Sequence, residues 1–452
     1  MKNRKALALI AILALVAAAC GGSGSGGSDE AEVEVETTEA PATTEAPTTT
    51  AAPAPAGDPL VLASLMPLSG DLASLGPGIA LGAQVAVNQV NALGGVNGQD
   101  IVFLEGDSGC NADVALTGLQ DVIAQGAQGV MGAACSSATL ALLSSVIEAN
   151  VALVSPSSTS PQLTTVEKGG MFSRTAPSDA FQGVVLAAEL VKDGIETISI
   201  ISRADSYGRG LANATLEAFE AQGGSVANVV YHAADATEFS AEVTAVGKGS
   251  PDAIVAILFP DTTGCPIVQG AFEQGLTDIP WYFTDGVKDS ATLIECSQGA
   301  LEGFKGVAPG ASASDALESF KALYSAATNG ENETFIFAPQ AYDAAMLMIL
   351  SAIANGTDGK SIAGGMIAAS GGGTPCIGAE CIDLALAGED FDYVGASGPI
   401  DLDANGDPTA GTYDIYQIQG SDYVVLETID YCLLYTSQSP RDRQKSRMPS
   451  SA

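Results

Sequence analysis

The sequence is poor in positive charge, in histidine and in aromatic side chains, and each shortage removes a class of function. Lys and Arg total 17 against 53 Asp and Glu, a formal charge of −36. Seven of those 17 sit at the extreme ends (Lys2, Arg4, Lys5, Arg441, Arg443, Lys445 and Arg447), leaving ten for the body of the chain. Phosphate backbones are bound through clustered Lys and Arg, so nucleic acid is excluded as a partner. His232 is the single histidine, and a His-bearing triad or a zinc site would have to use it. It ends an apolar run near Asp235 and reads as a packing or surface residue. No Gly-x-Ser-x-Gly elbow occurs. With no Cys-x-x-Cys pair and no His cluster, neither a metal nor a cofactor is expected, and no enzyme is indicated. Aromatics are only 6%, yet hydrophobic residues reach 46% and charged residues 15% of 452, enough for a large core.

Met1 to Lys5 is basic, and Ala6 to Ala19 is an apolar run ending at Cys20. The run is shorter than the ~20 residues that span a bilayer, and residues 1–19 fit a signal peptide with a small-residue cleavage site. Leu15-Val16-Ala17-Ala18-Ala19-Cys20 resembles a bacterial lipoprotein box, with Ala17 where Leu is usual. That resemblance implies cleavage before Cys20, a lipid on its sulfur and an extracytoplasmic protein held to the cell membrane. Residues 20–57 are Gly/Ser-rich, then acidic with repeated Thr, Ala and Pro. Such a segment has little to bury and is expected to be an extended tether. Residues 431–452 reverse the charge sign and resemble translated adaptor sequence, so the fold is expected to end at Asp430.

Between these ends, short apolar runs alternate with amphipathic stretches. Strands are expected at 60–66, 100–106, 129–133 and 152–155, with helices at 77–93, 113–125 and 136–149. A second set follows, with helices at 179–193, 206–221, 238–247 and 264–275 and strands at 197–203, 225–231, 253–259 and 281–284. This alternation predicts an α/β fold of two doubly wound lobes, each with about four parallel strands. Residues 315–355 are helix-rich, and 412–418 with 423–429 read as a hairpin, so the chain returns to both lobes. The expected division is lobe 1 at 58–177 plus 308–411 and lobe 2 at 178–307 plus 412–430.

Six cysteines fall in the body. In an exported domain an even number points to disulfides, with free thiols the alternative. Proximity along the chain favours Cys110–Cys135, Cys265–Cys296 and Cys376–Cys381 among the possible pairings. Three short motifs fail. Gly359-Lys360-Ser361 follows a helical stretch rather than a strand, which argues against a phosphate loop. Gly76-Pro77-Gly78 opens a helix, with its third glycine at 82 rather than 81. Asp401, Asp403, Asn405 and Gly406 begin like a calcium loop, but Thr412 stands where the bidentate Glu belongs. A polar turn is expected there.

In open parallel sheets, ligands sit beyond the carboxyl ends of the strands. Those ends lead here to Cys135-Ser136-Ser137 at a helix start, to the hydroxyl-rich Pro156–Pro161, to Asp205-Ser206-Tyr207-Gly208 and to Asp285-Gly286. One lobe offers donors suited to an anion, and the other a carboxylate and a phenol. Helix caps and turns explain any one of these positions, and a zwitterion-binding face explains all of them.

Asp107-Ser108-Gly109-Cys110, Gly132–Ser137, Ser155–Pro161, Tyr207–Gly210 and Thr284-Asp285-Gly286 resemble the branched-chain amino-acid-binding proteins, which have the type 1 periplasmic-binding fold and serve ABC importers. The resemblance runs from about Leu60 to Ile429. It implies a three-segment hinge and a monomer that captures an amino acid between lobes for a permease. Ser136 and Thr159, with backbone near Ser158, would take the α-carboxylate. Tyr207 and Asp285 would face the α-ammonium, and Cys110–Cys135 would match the family's disulfide. Leu75 and Phe259-Pro260-Asp261-Thr262 stand where relatives can place ligand-facing aromatics, and Asp285 is shorter than the Glu of close relatives. Side-chain specificity therefore stays open, and a receptor for an amide, urea or aromatic acid, or a ligand sensor, is the alternative.

Overall fold

The computed structural model describes residues 58–330 and 335–432. The leader, Cys20, the tether and residues 433–452 lie outside them. Among the described residues no helix is long and apolar enough to cross a membrane.

Two sheets organise the chain. The first holds β1 (Val61–Met66), β2 (Val102–Asp107), β3 (Gly129–Gly132), β4 (Ala152–Ser155) and β5 (Phe172–Arg174) in the order β2-β1-β3-β4-β5, all parallel. The second holds β6 (Thr197–Arg203), β7 (Ser225–His232), β8 (Ala253–Ile257), β9 (Trp281–Phe283) and β10 (Lys305–Pro309), also parallel to one another. The antiparallel hairpin β14 (Ala410–Gln419) and β15 (Asp422–Cys432) extends it beyond β10. A third, small sheet of β11 (Thr374–Cys376), β12 (Phe391–Gly395) and β13 (Gly398–Pro399) flanks the first lobe.

The central strands β3, β4 and β8 are buried along their whole length, which is why they read as unbroken apolar runs. Helices start where side chains accept otherwise unpaired N–H groups: Asn111 caps Ala112–Ala124, Ser178 caps Asp179–Lys192 and Asp205 caps Ser206–Ala221. The helix Ala338–Asn355 is apolar on nearly every side and runs through the core of lobe 1. Gly82 is fixed by packing rather than by phosphate binding, since a Cβ there would stand 2.2 Å from the Ala338 carbonyl oxygen.

The chain crosses between lobes three times, and hydrogen bonds tie the crossings together. Thr175 donates to the Gln340 carbonyl (2.7 Å), Gln340 Nε2 to the Gly310 carbonyl (2.9 Å) and the Gly310 N–H to Thr412 (2.9 Å). Tyr413 donates its hydroxyl to the Ser178 carbonyl (3.3 Å).

Several expectations need correction. Each parallel set has five strands rather than about four. β5 holds only three residues and ends in a buried Arg174, and β10 begins Lys305-Gly306, so neither carries an apolar run. β10 runs in the second sheet through Pro309, and β14 joins it from Ala410. β15 does not stop at Asp430: Cys432 pairs with Ala410, and the Tyr431 ring lies 5.4 Å from that of Phe181. Gly359-Lys360-Ser361 opens a helix whose N-terminus is occupied by its own Asp358, which accepts from the Ser361 N–H (3.1 Å). The Asp401–Gly406 stretch is, as expected, a polar turn, in which Asp403 accepts from the Asn405 and Asp407 N–H groups. His232 is buried edge-on to Phe239, and burial pushes its pKa down.

Candidate functional site

A cavity lies between the lobes, where the carboxyl ends of the two parallel sheets face each other. Lobe 1 contributes Leu72, Leu75, Ile79, Ala134, Ser136, Ser157 and Phe337, and lobe 2 contributes Tyr207, Phe259, Asp285 and Gly286. Apolar side chains dominate the wall, and its polar groups are Ser136 and Ser157 from lobe 1 and Tyr207 and Asp285 from lobe 2.

On the lobe 1 side, Ser136 is the first residue of the helix Ser136–Ala149, and its Oγ accepts from the Ser160 N–H (3.2 Å). That contact holds the hydroxyl-rich loop against the helix start, where backbone N–H groups are free to meet an anion. Ser157 faces the cavity and donates to the Ala134 carbonyl (3.2 Å). The Ser158 hydroxyl turns away from it, bonding the Ala133 and Ala134 carbonyls and Thr139 Oγ1 (2.9, 3.1 and 2.8 Å). The Ser158 N–H donates to Ser155 Oγ (2.9 Å) and its carbonyl accepts from Arg174 Nη1 (3.1 Å), so its backbone is engaged as well. Thr159 is buried, and its hydroxyl, which lies beside Asp179, has no hydrogen-bond partner of standard geometry.

On the lobe 2 side, Asp285 Oδ1 accepts from Gln182 Nε2 (2.7 Å) and from the Tyr207 hydroxyl (2.9 Å). Burial raises the Asp285 pKa to about 6 despite these two donors. Burial, then the Asp285 charge, pushes the Tyr207 phenol well above its ordinary value, so it stays a donor. Its ring stacks on Phe259, centroids 5.2 Å apart. The carboxylate is thus aimed and held but has no cation of its own. Lys288, three residues further on, is committed to Asp414 (3.1 Å).

Ser136, Tyr207 and Asp285 therefore meet at one cavity, as expected from the strand ends. Leu75, Ser157 and Phe259, from segments the sequence already pointed to, join them, and so do Leu72, Ile79 and Phe337, which it did not single out. Phe337 comes from the distant start of the Ala338–Asn355 helix, at φ 59°, and nothing local in the sequence marks it. The mouth is closed by contacts between lobes: Arg203 with Asp71 (2.7 Å), Thr262 with Asp71 (2.5 Å) and Asp261 with the Ser74 N–H (2.8 Å). Arg203 also lies 4.1 Å over the Phe259 ring. The three expected disulfides are all formed, and Cys110–Cys135 sits beside the cavity wall.

Residues 59–422 match the family model described as periplasmic binding protein, and the chain belongs to that family, one of binding proteins rather than enzymes. An amino acid binding protein of Pseudomonas aeruginosa is 33% identical over 197 residues, 42% of this chain and 51% of that protein. A leucine-specific-binding protein of Salmonella typhimurium is 32% identical over 37% of this chain and 45% of its own. The chain thus spans about half the length of these curated relatives. Among solved structures, the leucine binding protein LivK of Thermotoga maritima superposes with a TM-score of 0.70 at 22% identity, over 82% of this chain and 98% of that one. A solute binding protein of R. palustris in complex with benzoate gives 0.69 at 20% identity, over 83% and 98%. At these identities the two structures show the shared fold: an α/β architecture of two parallel-sheet lobes.

Proposed function

We propose that the protein captures an α-amino acid with an aliphatic side chain between its lobes and delivers it to the permease of an ABC importer. It would act as an extracytoplasmic monomer anchored through lipidated Cys20. The observation that carries the reading is the polarity of the cavity. Hydroxyls and free helix N–H groups of lobe 1 face a buried, cation-less carboxylate of lobe 2, and the remaining wall (Leu72, Leu75, Ile79, Phe259, Phe337) is apolar. A zwitterion with an apolar tail satisfies all three surfaces. Ser136 and Thr159, with the loop backbone, would take its carboxylate, and Tyr207 and Asp285 its ammonium. The amino-acid- and leucine-binding relatives support this assignment.

A second reading, an aromatic acid, draws on the Phe259 and Phe337 rings and on the benzoate-bound neighbour. It leaves Asp285 facing an anionic ligand with no compensating charge. Calorimetry with leucine, isoleucine, valine, benzoate, an amide and urea separates the two. Asp285→Asn keeps the shape and removes the charge, and breaking one half of a buried charge pair costs ~3–5 kcal/mol. At about 1.4 kcal/mol per factor of ten, leucine affinity should fall at least about a hundredfold. Unchanged leucine affinity in Asp285→Asn, or benzoate binding where no amino acid binds, refutes the assignment.

A further inference from the structure

Asp179 is the first residue of the helix Asp179–Lys192, fully buried, and both of its carboxyl oxygens lack a hydrogen-bond donor. One turn further along the same helix, Gln182 donates to Asp285, which places the two aspartates on either side of one side chain. Both belong to lobe 2, so their neighbourhood persists when the lobes part. The buried Thr159 Oγ1, beside Asp179, and Gln182 Oε1, one turn along the helix, likewise lack partners of standard geometry.

The two carboxyls differ in what holds their charge. Asp285 has two donors, whereas Asp179 has only the Thr159 hydroxyl beside it, outside standard hydrogen-bond geometry. A bare, fully buried carboxylate is far costlier than its neutral acid. The charged groups around it are committed elsewhere, and Arg174 opposes the rise in its pKa only through space. Arg174 on β5 is already paired with Asp407, and Asp205 is acidic and paired with Arg203. The Tyr413 hydroxyl donates to the Ser178 carbonyl and that of Tyr416 to the Thr284 carbonyl, while Lys288 pairs with Asp414.

We propose that Asp179 holds a proton in the ligand-free cleft and releases it to solvent when a ligand's ammonium enters beside Asp285. This rests on the amino-acid reading above. The free site carries one negative charge, on Asp285, and one proton, on Asp179. The occupied site carries two carboxylates around one ammonium, and the displaced proton goes to buffer. Burial first, then the Asp285 charge, pushes the Asp179 pKa well above its ordinary value, and an ammonium cancels the second of these causes. Asp179 becomes a specificity residue: it favours ligands that bring a full positive charge over neutral amides of the same shape.

The test uses infrared difference spectroscopy and calorimetry on the exported domain, with leucine as probe. A protonated buried carboxyl band is expected at pH 7 in ligand-free protein, absent from Asp179→Asn and lost on adding leucine. Calorimetry in two buffers of different protonation enthalpy should show release of up to one proton, and none in Asp179→Asn. Leucine affinity should rise with pH above about 6, where Asp285 is ionised. The rise is at most about tenfold per unit for a single linked proton, and Asp179→Asn should be flat over that range. Absence of the band from ligand-free wild type, its survival with leucine bound, or binding without proton release overturns the proposal. Failure of leucine to bind at all sinks the amino-acid reading and the release step with it, and the band in wild type then decides alone whether Asp179 holds the proton.

Discussion

Asp407→Asn is the sharpest probe of how the binding loop is held. Arg174 is fully buried, and all five of its N–H groups are spoken for. Nε and Nη2 meet the two oxygens of Asp407 at 2.9 Å each, and Nη1 meets the Ser158 and Ser160 carbonyls at 3.1 and 3.0 Å. Nη2 also reaches Thr164 Oγ1 at 2.9 Å. One guanidinium therefore ties the turn before β14 to both ends of the loop that lines the cavity. The substitution keeps the shape but strands a cation in the interior, at a cost of ~3–5 kcal/mol. At an unfolding entropy of about 2.1 cal/mol/K per residue, a fold of roughly 370 residues should lose about 4–6 °C in Tm. Burial raises the Asp407 pKa, but the Arg174 charge and hydrogen bonds outweigh it and leave a net lowering. A lowered native pKa gives stability that is present above the unfolded value of about 3.9 and is lost as pH falls through the native one. Scanning calorimetry of wild type and variant at pH 7 and then in acid checks both parts. A variant that melts within a degree of wild type at pH 7 refutes the magnitude. A gap that stays constant into acid refutes its electrostatic origin.

Two further outcomes follow from the ends of the chain. Clickable palmitate should label the full chain in a bacterial host and fail to label Cys20→Ala; labelling that survives the substitution rules out Cys20 as the anchor. A chain ending at Cys432 should melt above one ending at Asp430, because the shorter chain loses the last rungs of the β14–β15 ladder and the Tyr431–Phe181 ring pair, itself worth ~0.5–1.5 kcal/mol. Equal melting temperatures would mean that Tyr431 contributes no packing.

The parts of the site legible in the sequence are those fixed by local rules. Ser136, Tyr207 and Asp285 stand where strands end, and a parallel sheet makes those ends the ligand face whatever the rest of the chain does. Residues 197–203 and 206–221 are strand and helix at the expected bounds because apolar period and cap agree there. Asp179 escaped because an acid in the first turn of a helix has an ordinary explanation in the helix dipole. Only the fold shows that this one is sealed from water beside a second acid. Arg174 carried no local signal either, since its partner lies 233 positions along the chain. Ser158, expected to act through its backbone, has its side chain bonded to the carbonyls after β3, its N–H to Ser155 and its carbonyl to Arg174, contacts that no local pattern announces.

The clasp across the mouth has a consequence for how affinity is set. Arg203, Asp71, Asp261 and Thr262 join the lobes without lining the ligand's seat. Their contacts are available to an empty protein as well as to a loaded one, so they fix how often the cleft shuts with nothing inside. Measured affinity equals intrinsic affinity scaled by the fraction of molecules in the competent shape. A few side chains outside the cavity wall can therefore raise or lower the grip on every ligand together, leaving the ranking among ligands to the wall itself. Selection acting on the rim can match the protein to scarce or abundant nutrient without retouching what it recognises.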